Sequence, residues 1–554
     1  MFNHLLIEDP RLRAAAERTV NCFDINQKLA FDALKAMNYG LLFIPGSPGS
    51  GKTHWALGVS ALAQMGSDKV RVLFLQDVNK PVDEACHRMH LLYKTYGMEK
   101  SIIRLSSWPK ESRRSLSVES LKPGSRNERF PDFHTGFFAQ LLRRTASNAQ
   151  EETHSKTAPT LDEAAWLHFV KNRNEFPIAS AAFDQIRRDK RDIHHMPGID
   201  LGACNDELRR LYEKVISSAD FIATTPVAAA QESFASMFSP DIIFMDEAAH
   251  ATELSALIPL ALFKSKACIF LGECRTTRPC VRHQHQHSEQ MKYPTLSRAM
   301  MHKDAAVPEW LTNHRSHNKL HTLHSALYYD GSVESNTGPQ TGPISESSAE
   351  MVIYMNRLRG VPCDIPRLLK WFDFAATEQA NHAQSPYSSA HSRYVIARVK
   401  ELLEVDWFKS TSDDISPGSI LIVTSAVESQ RKYEKRLKSF EPEHRERVRV
   451  RTVGTTQGIE ADVVFIDIAR ANEYINDTSL LNVALSRARQ AEFILLEYPE
   501  SSLYGACLKQ IYDWCSANGQ KAESDMEFEK HDEMTSSDLQ LVENVGMNLK
   551  ISGW

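Results

Sequence analysis

No apolar run in this chain of 554 residues approaches the about 20 residues needed to cross a bilayer as a helix. The first residues, Met1 to Asp9, lack a basic stretch followed by an apolar core, so they do not read as a secretory signal. The nine cysteines are scattered and odd in number. They offer no disulfide framework and imply reduced thiols in an intracellular protein of the cytoplasm or nucleus. Excess positive charge is missing too. The net charge of −5 excludes a generic polyanion binder, although a local groove can be basic while the whole is acidic. No internal repeat of fixed period occurs. What remains, 42% hydrophobic and 24% charged residues, is the composition of an ordinary globular protein, long enough for more than one domain.

Short apolar, β-branched runs recur along the chain. In the first half they are Leu41–Ile44, Val70–Leu75, Phe221–Thr225, Ile242–Met245 and Cys268–Leu271. In the second half they are Met351–Tyr354, Ile420–Thr424, Val448–Val453, Val463–Ile468 and Phe493–Leu496. Helical patterns lie between most of them, so the expected fold is α/β, with two tandem parallel sheets of five strands each. Residues 106–216 interrupt the first set and read as an inserted helical subdomain (Leu161–Val170, Ala181–Arg191, Asp206–Ile216), with a basic mobile loop from Ser112 to Arg129. The expected division is a first lobe over 1–306, a second over 307–520 and an acidic, disordered tail over 521–554.

The sharpest motif is Gly46-Ser47-Pro48-Gly49-Ser50-Gly51-Lys52-Thr53, which fits the phosphate-binding pattern G-x-x-x-x-G-K-[ST]. It follows the strand run Leu41–Ile44 and opens a helical pattern through Trp55, Ala56, Val59 and Leu62, the context the motif requires. Gly46, Gly49 and Gly51 let backbone N–H groups, with that of Ser50, curl around phosphate oxygens at a helix N-terminus. Lys52 would reach the β- and γ-phosphates of ATP, and the Thr53 hydroxyl would ligate Mg²⁺. The strand Ile242–Met245 ends in Asp246-Glu247. In phosphate-loop enzymes that position supplies a metal-binding Asp and a Glu that deprotonates water, here Asp246 and Glu247. Arg487 and Arg489 sit on the otherwise apolar segment Leu481 to Arg489, where an arginine calls for an anionic partner.

Together these residues resemble the superfamily 1 helicases of the nonsense-mediated-decay and senataxin type. The resemblance covers nearly the whole chain apart from the insertion and the tail. It implies two RecA-like lobes with ATP between them. Asn26-Gln27 looks like the adenine-reading motif, placing Gln27 on the base. The segment Asn79 to Glu84 resembles one that holds the nucleic-acid backbone, and Ile222-Ala223-Thr224-Thr225 resembles a second, pointing to Asn79 and Thr225. Leu311 to His317 is similar to the motif whose arginine touches the γ-phosphate, which makes Arg315 a first arginine finger. Gln457-Gly458-Ile459-Glu460 implies Glu460 on the ribose and Thr452 or Thr456 near the nucleic acid. Asn482 through Arg489 makes Arg487 the second finger.

The resemblance implies an ATP-dependent helicase or translocase on single-stranded nucleic acid, RNA favoured over DNA, moving 5′ to 3′, with protein partners reached through the insertion or the tail. There are departures. Gly272-Glu273-Cys274-Arg275-Thr276 carries Glu273 for the family's Asp and Thr276 where a γ-phosphate-sensing Gln is expected. His314 stands for a Tyr beside Arg315. The about two dozen residues before Gln27 leave no room for the β-barrel of many relatives. These departures keep open a second reading, an ATP-dependent clamp or remodelling subunit with little unwinding. A signalling ATPase without nucleic acid is a third. Cys274, Cys280, His283, His285 and His287 lack the paired spacing of a zinc site and read as a polar loop. Trp108, Trp166, Phe130 and Phe133 read as packing rather than base-stacking residues.

Overall fold

The computed structural model describes residues 7–105, 158–189, 200–275, 279, 286–302, 307–336, 345–372, 387–468, 478–497 and 506–522. The chain divides into two compact units, Met1–Thr312 and Asn313–Trp554. The first extends past residue 306 because the connecting segment adds itself to the first strand: Val307 N–H donates to Phe43 O and Trp310 N–H to Pro45 O, both at 3.0 Å.

The first unit is built on six parallel strands: β1 (Leu41–Pro45), β2 (Val72–Leu75), β3 (Ile102–Arg104), β4 (Phe221–Thr224), β5 (Ile242–Met245) and β6 (Ala267–Gly272). Their order is β1-β6-β5-β2-β4-β3. Both faces of the sheet are covered. Val72, Phe74, Ile242 and Phe244 enter one apolar core, and Leu73, Leu75, Ile243 and Met245 the other. Burial on two faces removes the polar alternation of a half-exposed strand, which is why these segments read as unbroken apolar runs. Between β3 and β4 lie the helices Leu161–Lys171, Pro177–Asp189 and Leu201–Ser218. There Trp166 packs against Phe169 and Phe183, with ring centroids 5.9 and 5.5 Å away. The expected basic loop at 112–129, Trp108, Phe130, Phe133 and the acidic tail beyond 522 lie outside the described residues.

The second unit has five parallel strands: β7 (Arg367–Phe372), β8 (Ile420–Thr424), β9 (Val448–Thr452), β10 (Ala461–Ile468) and β11 (Ala488–Glu497), in the order β9-β8-β10-β11-β7. Again two cores flank the sheet, with Ile420, Ile422, Val463 and Phe465 on one side and Leu421, Val423, Val464 and Ile466 on the other. These are tandem RecA-like α/β domains.

The strand expectations fail at three places. Met351–Tyr354 is not a strand. It lies inside the helix Glu346–Arg359, capped by the Ser345 hydroxyl and ended by left-handed Gly360, with Met351 and Met355 buried one turn apart. The strand that fills its place, β7, is disguised by Arg367 and Lys370. Arg367 is tolerated inside because Glu492 on β11 meets it at 2.5 Å, both side chains being fully buried. The short β3 gives the first sheet a sixth member.

Candidate active site

Parallel strands bring all their carboxyl ends to one edge, and the expected site residues of the first unit stand along it. Gly49 (φ 80°) and Gly51 (φ 79°) are left-handed, a conformation open to glycine at no steric cost. Gly46 is required for a different reason. A Cβ there would sit 2.8 Å from Ser50 Oγ and 2.9 Å from Trp310 Cβ. The loop is pinned from outside: Gly46 N–H donates to Gly272 O at 3.1 Å, and Ser47 N–H to Trp310 O at 2.8 Å. Buried Trp310, which sequence reasoning missed, also meets Trp55 edge-on at 5.5 Å. Lys52 curls back over the loop, its ammonium donating to Gly46 O (2.7 Å), Ser47 O (2.9 Å) and Ser50 Oγ (3.3 Å). Loop carbonyls therefore hold the charge where phosphate oxygens would be received.

Thr53 and Asp246, distant in sequence, meet at 2.5 Å, the Thr53 hydroxyl donating to Asp246 Oδ2. Gln76 Nε2 donates to the same oxygen at 2.8 Å. Asp246 Oδ1 is buried with no hydrogen-bond partner among the described residues. Burial, and then the charge of Glu247, push the Asp246 carboxyl up to about 6, against the pull of the Thr53 hydroxyl and Lys52. A hydroxyl and a carboxylate with one oxygen not engaged in a hydrogen bond are hard oxygen donors, a set that fits Mg²⁺. Glu247 follows in the left-handed region, φ 54°. The turn lies so close to β6 that a Cβ on Gly272 would approach Ala249 N to 2.8 Å, and Ala248 N–H donates to Leu271 O at 2.7 Å. His250 Nε2 lies 3.9 Å from Glu247 Oε2.

Gln27 is buried beside the loop. It closes a capping box with Asp24, its backbone N–H reaching Asp24 Oδ1 at 2.8 Å while its Oε1 accepts from Asp24 N–H at 3.3 Å. Its Nε2 donates to Ser50 O at 3.1 Å. Its amide thus braces the phosphate loop. Glu273 is buried and accepts from Arg275 N–H at 2.7 Å. Thr276, Cys280, His283 and His285 lie outside the described residues.

On the same edge, Asn79 opens the helix Asn79–Tyr96 after β2, and Thr225 caps the short helix after β4 by accepting from Ala228 N–H at 3.3 Å. β2 and β4 are neighbours. Arg104, at the end of β3 and also missed, donates to both Asn79 O and Asn79 Oδ1 at 3.2 Å and to Asp83 Oδ1 at 2.5 Å. No periodicity marks it, because its partners lie 21 and 25 residues away.

The second unit assembles its own group. Asn313 Oδ1 accepts from the backbone N–H of Arg315 (3.2 Å) and Ser316 (3.3 Å), an Asx turn that sets the direction of Arg315. Arg315 Nε donates to Glu460 Oε2 at 2.6 Å, and its Nη1 to Ser486 O at 2.8 Å. Arg489 pairs with the other Glu460 oxygen. Burial alone would raise the Glu460 carboxyl, but the two guanidinium groups outweigh it and hold the group well below the usual carboxylate range. Arg487 is buried, with Nε on Val483 O at 2.6 Å and Nη2 on Ser486 Oγ at 3.0 Å. Thr456 is buried with its hydroxyl on Val453 O at 2.7 Å, while Thr452, whose hydroxyl meets that of Thr455 at 3.0 Å, is half-exposed.

Comparison with known proteins matches residues 23–275 and residues 291–497 each to a family described as an AAA domain. The chain is 21% identical over 502 residues to the helicase Sen1 of Saccharomyces cerevisiae, covering 82% of this chain and 21% of that protein. It is 23% identical over 299 residues to the ATP-dependent helicase NAM7 of the same yeast, covering 52% of this chain and 28% of that one. An uncharacterized ATP-dependent helicase of Methanocaldococcus jannaschii is 23% identical, covering 87% of this chain and 70% of that protein. The chain spans only 21% and 29% of the length of the Sen1 helicases of Saccharomyces cerevisiae and Schizosaccharomyces pombe. No helix among the described residues is long and apolar enough to cross a membrane.

Proposed function

The chain belongs to the superfamily 1 helicases of the Sen1/NAM7 type, and from that premise we propose that it hydrolyses ATP to move along single-stranded nucleic acid and open duplexes. The observation that carries the reading is the bond between Thr53 and Asp246, which joins the phosphate loop to the acidic strand end. In this reading Lys52 exchanges its loop carbonyls for phosphate oxygens, and the backbone of Gly46, Gly49, Ser50 and Gly51 cradles them. Thr53 and Asp246 hold Mg²⁺, which supplies charge neutralisation to the phosphates when bound. Glu247, set in its turn, orients water and takes its proton. Gln27 reads the adenine and Glu460 the ribose. Arg315 and Arg487 stabilise charge that develops on the γ-phosphate.

Asn79, Thr225, Thr452 and Thr456 serve the nucleic-acid backbone. RNA is the favoured strand and 5′ to 3′ the favoured direction. The segment 106–216 and the acidic tail are the candidate surfaces for protein partners.

The deciding experiment is steady-state ATP hydrolysis with and without single-stranded RNA and DNA, with Lys52→Ala and Glu247→Gln as controls, followed by strand displacement. Stimulation by one polymer, lost in both variants, supports a nucleic-acid motor and names its strand. Tight ATP binding without stimulated turnover or displacement would replace the motor by a clamp.

A further inference from the structure

The turn between β2 and the helix Asn79–Tyr96 is fastened at four points to four different elements. Gln76 N–H donates to Thr224 O on β4 at 3.2 Å. The side chain of Gln76, 3% exposed, reaches the other way, its Nε2 donating to Asp246 Oδ2 at 2.8 Å. Asp77 hydrogen-bonds the Ser255 side chain on the helix Glu253–Leu262. Asn79 is held at both its carbonyl and its side-chain oxygen by Arg104 from β3. That leaves the Asn79 side chain with its amide N–H₂ as a donor. Gln76 Oε1 is buried and has no hydrogen-bond partner among the described residues.

Three positions along the chain therefore separate a residue assigned to the nucleic-acid backbone from one that touches the carboxylate assigned to the cation. The Gln76 amide shares Asp246 Oδ2 with the Thr53 hydroxyl. A shift of the turn when a strand engages Asn79 must alter that donor. The carboxylate then loses or weakens the Gln76 hydrogen bond, and its lone pairs become more available to a cation. The geometry points to Gln76 as the positioning residue that couples occupancy of the nucleic-acid edge to the affinity of the Asp246 site for a divalent cation with nucleotide. This rests on the function proposed above. Gln76 itself touches neither ligand in that reading, and its contribution is made through Asp246.

The test is equilibrium binding with the full chain. The affinity for a fluorescent non-hydrolysable ATP analogue with Mg²⁺ is measured with and without a saturating single-stranded oligonucleotide. The affinity for that oligonucleotide is then measured with and without the analogue. Linkage requires both ratios to give one coupling factor, typically about 5–150-fold where two sites communicate. Because it is a ratio, it cancels any uniform loss of affinity. Gln76→Met keeps length and bulk without the amide, and is expected to bring the factor to within about twofold of one. Gln76→Glu keeps the length but sets a second carboxylate against Asp246, and is expected to weaken the analogue about tenfold or more whether or not the strand is present. Thermal unfolding of each variant checks that it folds. Wild-type coupling that survives intact in Gln76→Met overturns the inference and leaves the nucleic-acid reading standing. A wild-type chain that binds no oligonucleotide overturns both. A wild-type factor of one, with both ligands bound, overturns the inference alone.

Discussion

In the first unit the carboxyl edge carries Asp246, with one buried oxygen unpartnered, and Lys52, held by the carbonyls of its own loop. In the second unit the corresponding acids face cations, although Glu492 Oε1, like Asp246 Oδ1, is buried without a hydrogen-bond partner among the described residues. Glu460 lies between Arg315 and Arg489, and Arg367 lies against Glu492. Two sheets of the same design thus treat buried charge differently. Where compensation is left out, the fold bears a cost that a ligand can remove, and where it is supplied, the charges set the frame.

Acid should therefore act with opposite sign on Asp246 in the first unit and on the buried histidines His321 and His324 in the second. The folded-state value of Asp246, about 6, lies above its ordinary 3.8, so its contribution to stability is greatest below 3.8 and is lost as pH rises through 6. In the second unit burial, reinforced by Arg367, lowers His321 to about 4, and burial drives the neighbouring His324 well below its ordinary range. Their contribution is full above 6.5 and is lost as pH falls toward 4.

The comparison yields predictions in descending size. Glu247→Gln should lower stimulated ATP turnover by about 10²–10⁴-fold, the usual weight of a general base, while analogue binding persists; equal loss of binding would remove Glu247 from that role. Glu492→Gln should destabilise the second unit by about 3–5 kcal/mol, since it strands Arg367 in the core; chemical denaturation measures this. The same acid-to-amide change in the first unit, Asp246→Asn, should stabilise the ligand-free protein by about 2–3 kcal/mol at pH 8, and less at pH 5. Melting curves at both values read the sign, and a loss of stability would break the contrast. Gly272→Ala should cost about 1–3 kcal/mol through the overpacked contact with Ala249, with unfolding confined to the first unit.

How much of this was legible follows from where each signal lies. The phosphate loop, β1 and Asp246-Glu247 are local patterns, written in contiguous residues. Strands buried on both faces announce themselves as apolar runs. β7 does not, because Arg367 is made tolerable by residues more than 100 positions away, Glu492 and Gln520. Met351–Tyr354 misleads because four apolar residues carry no period long enough to tell a strand from a helix. Gln76, Arg104 and Trp310 contribute through partners remote in sequence, so no local pattern gives their roles. The family motif implies a ligand contact for Glu460, and its place between two guanidinium groups is visible only in the assembled unit.

The left-handed backbone at Glu247 has a consequence for anyone who tries to harden this protein in the laboratory. A non-glycine residue at φ 54° gives up about 1 kcal/mol or more that glycine would not. Its neighbour Asp246 is a buried acid with one oxygen that has no hydrogen-bond partner among the described residues. A library sorted only for survival on heating should therefore enrich glycine at 247 and asparagine at 246 among its early winners. Such a screen would climb in robustness by dismantling the engine, unless each round also demands turnover.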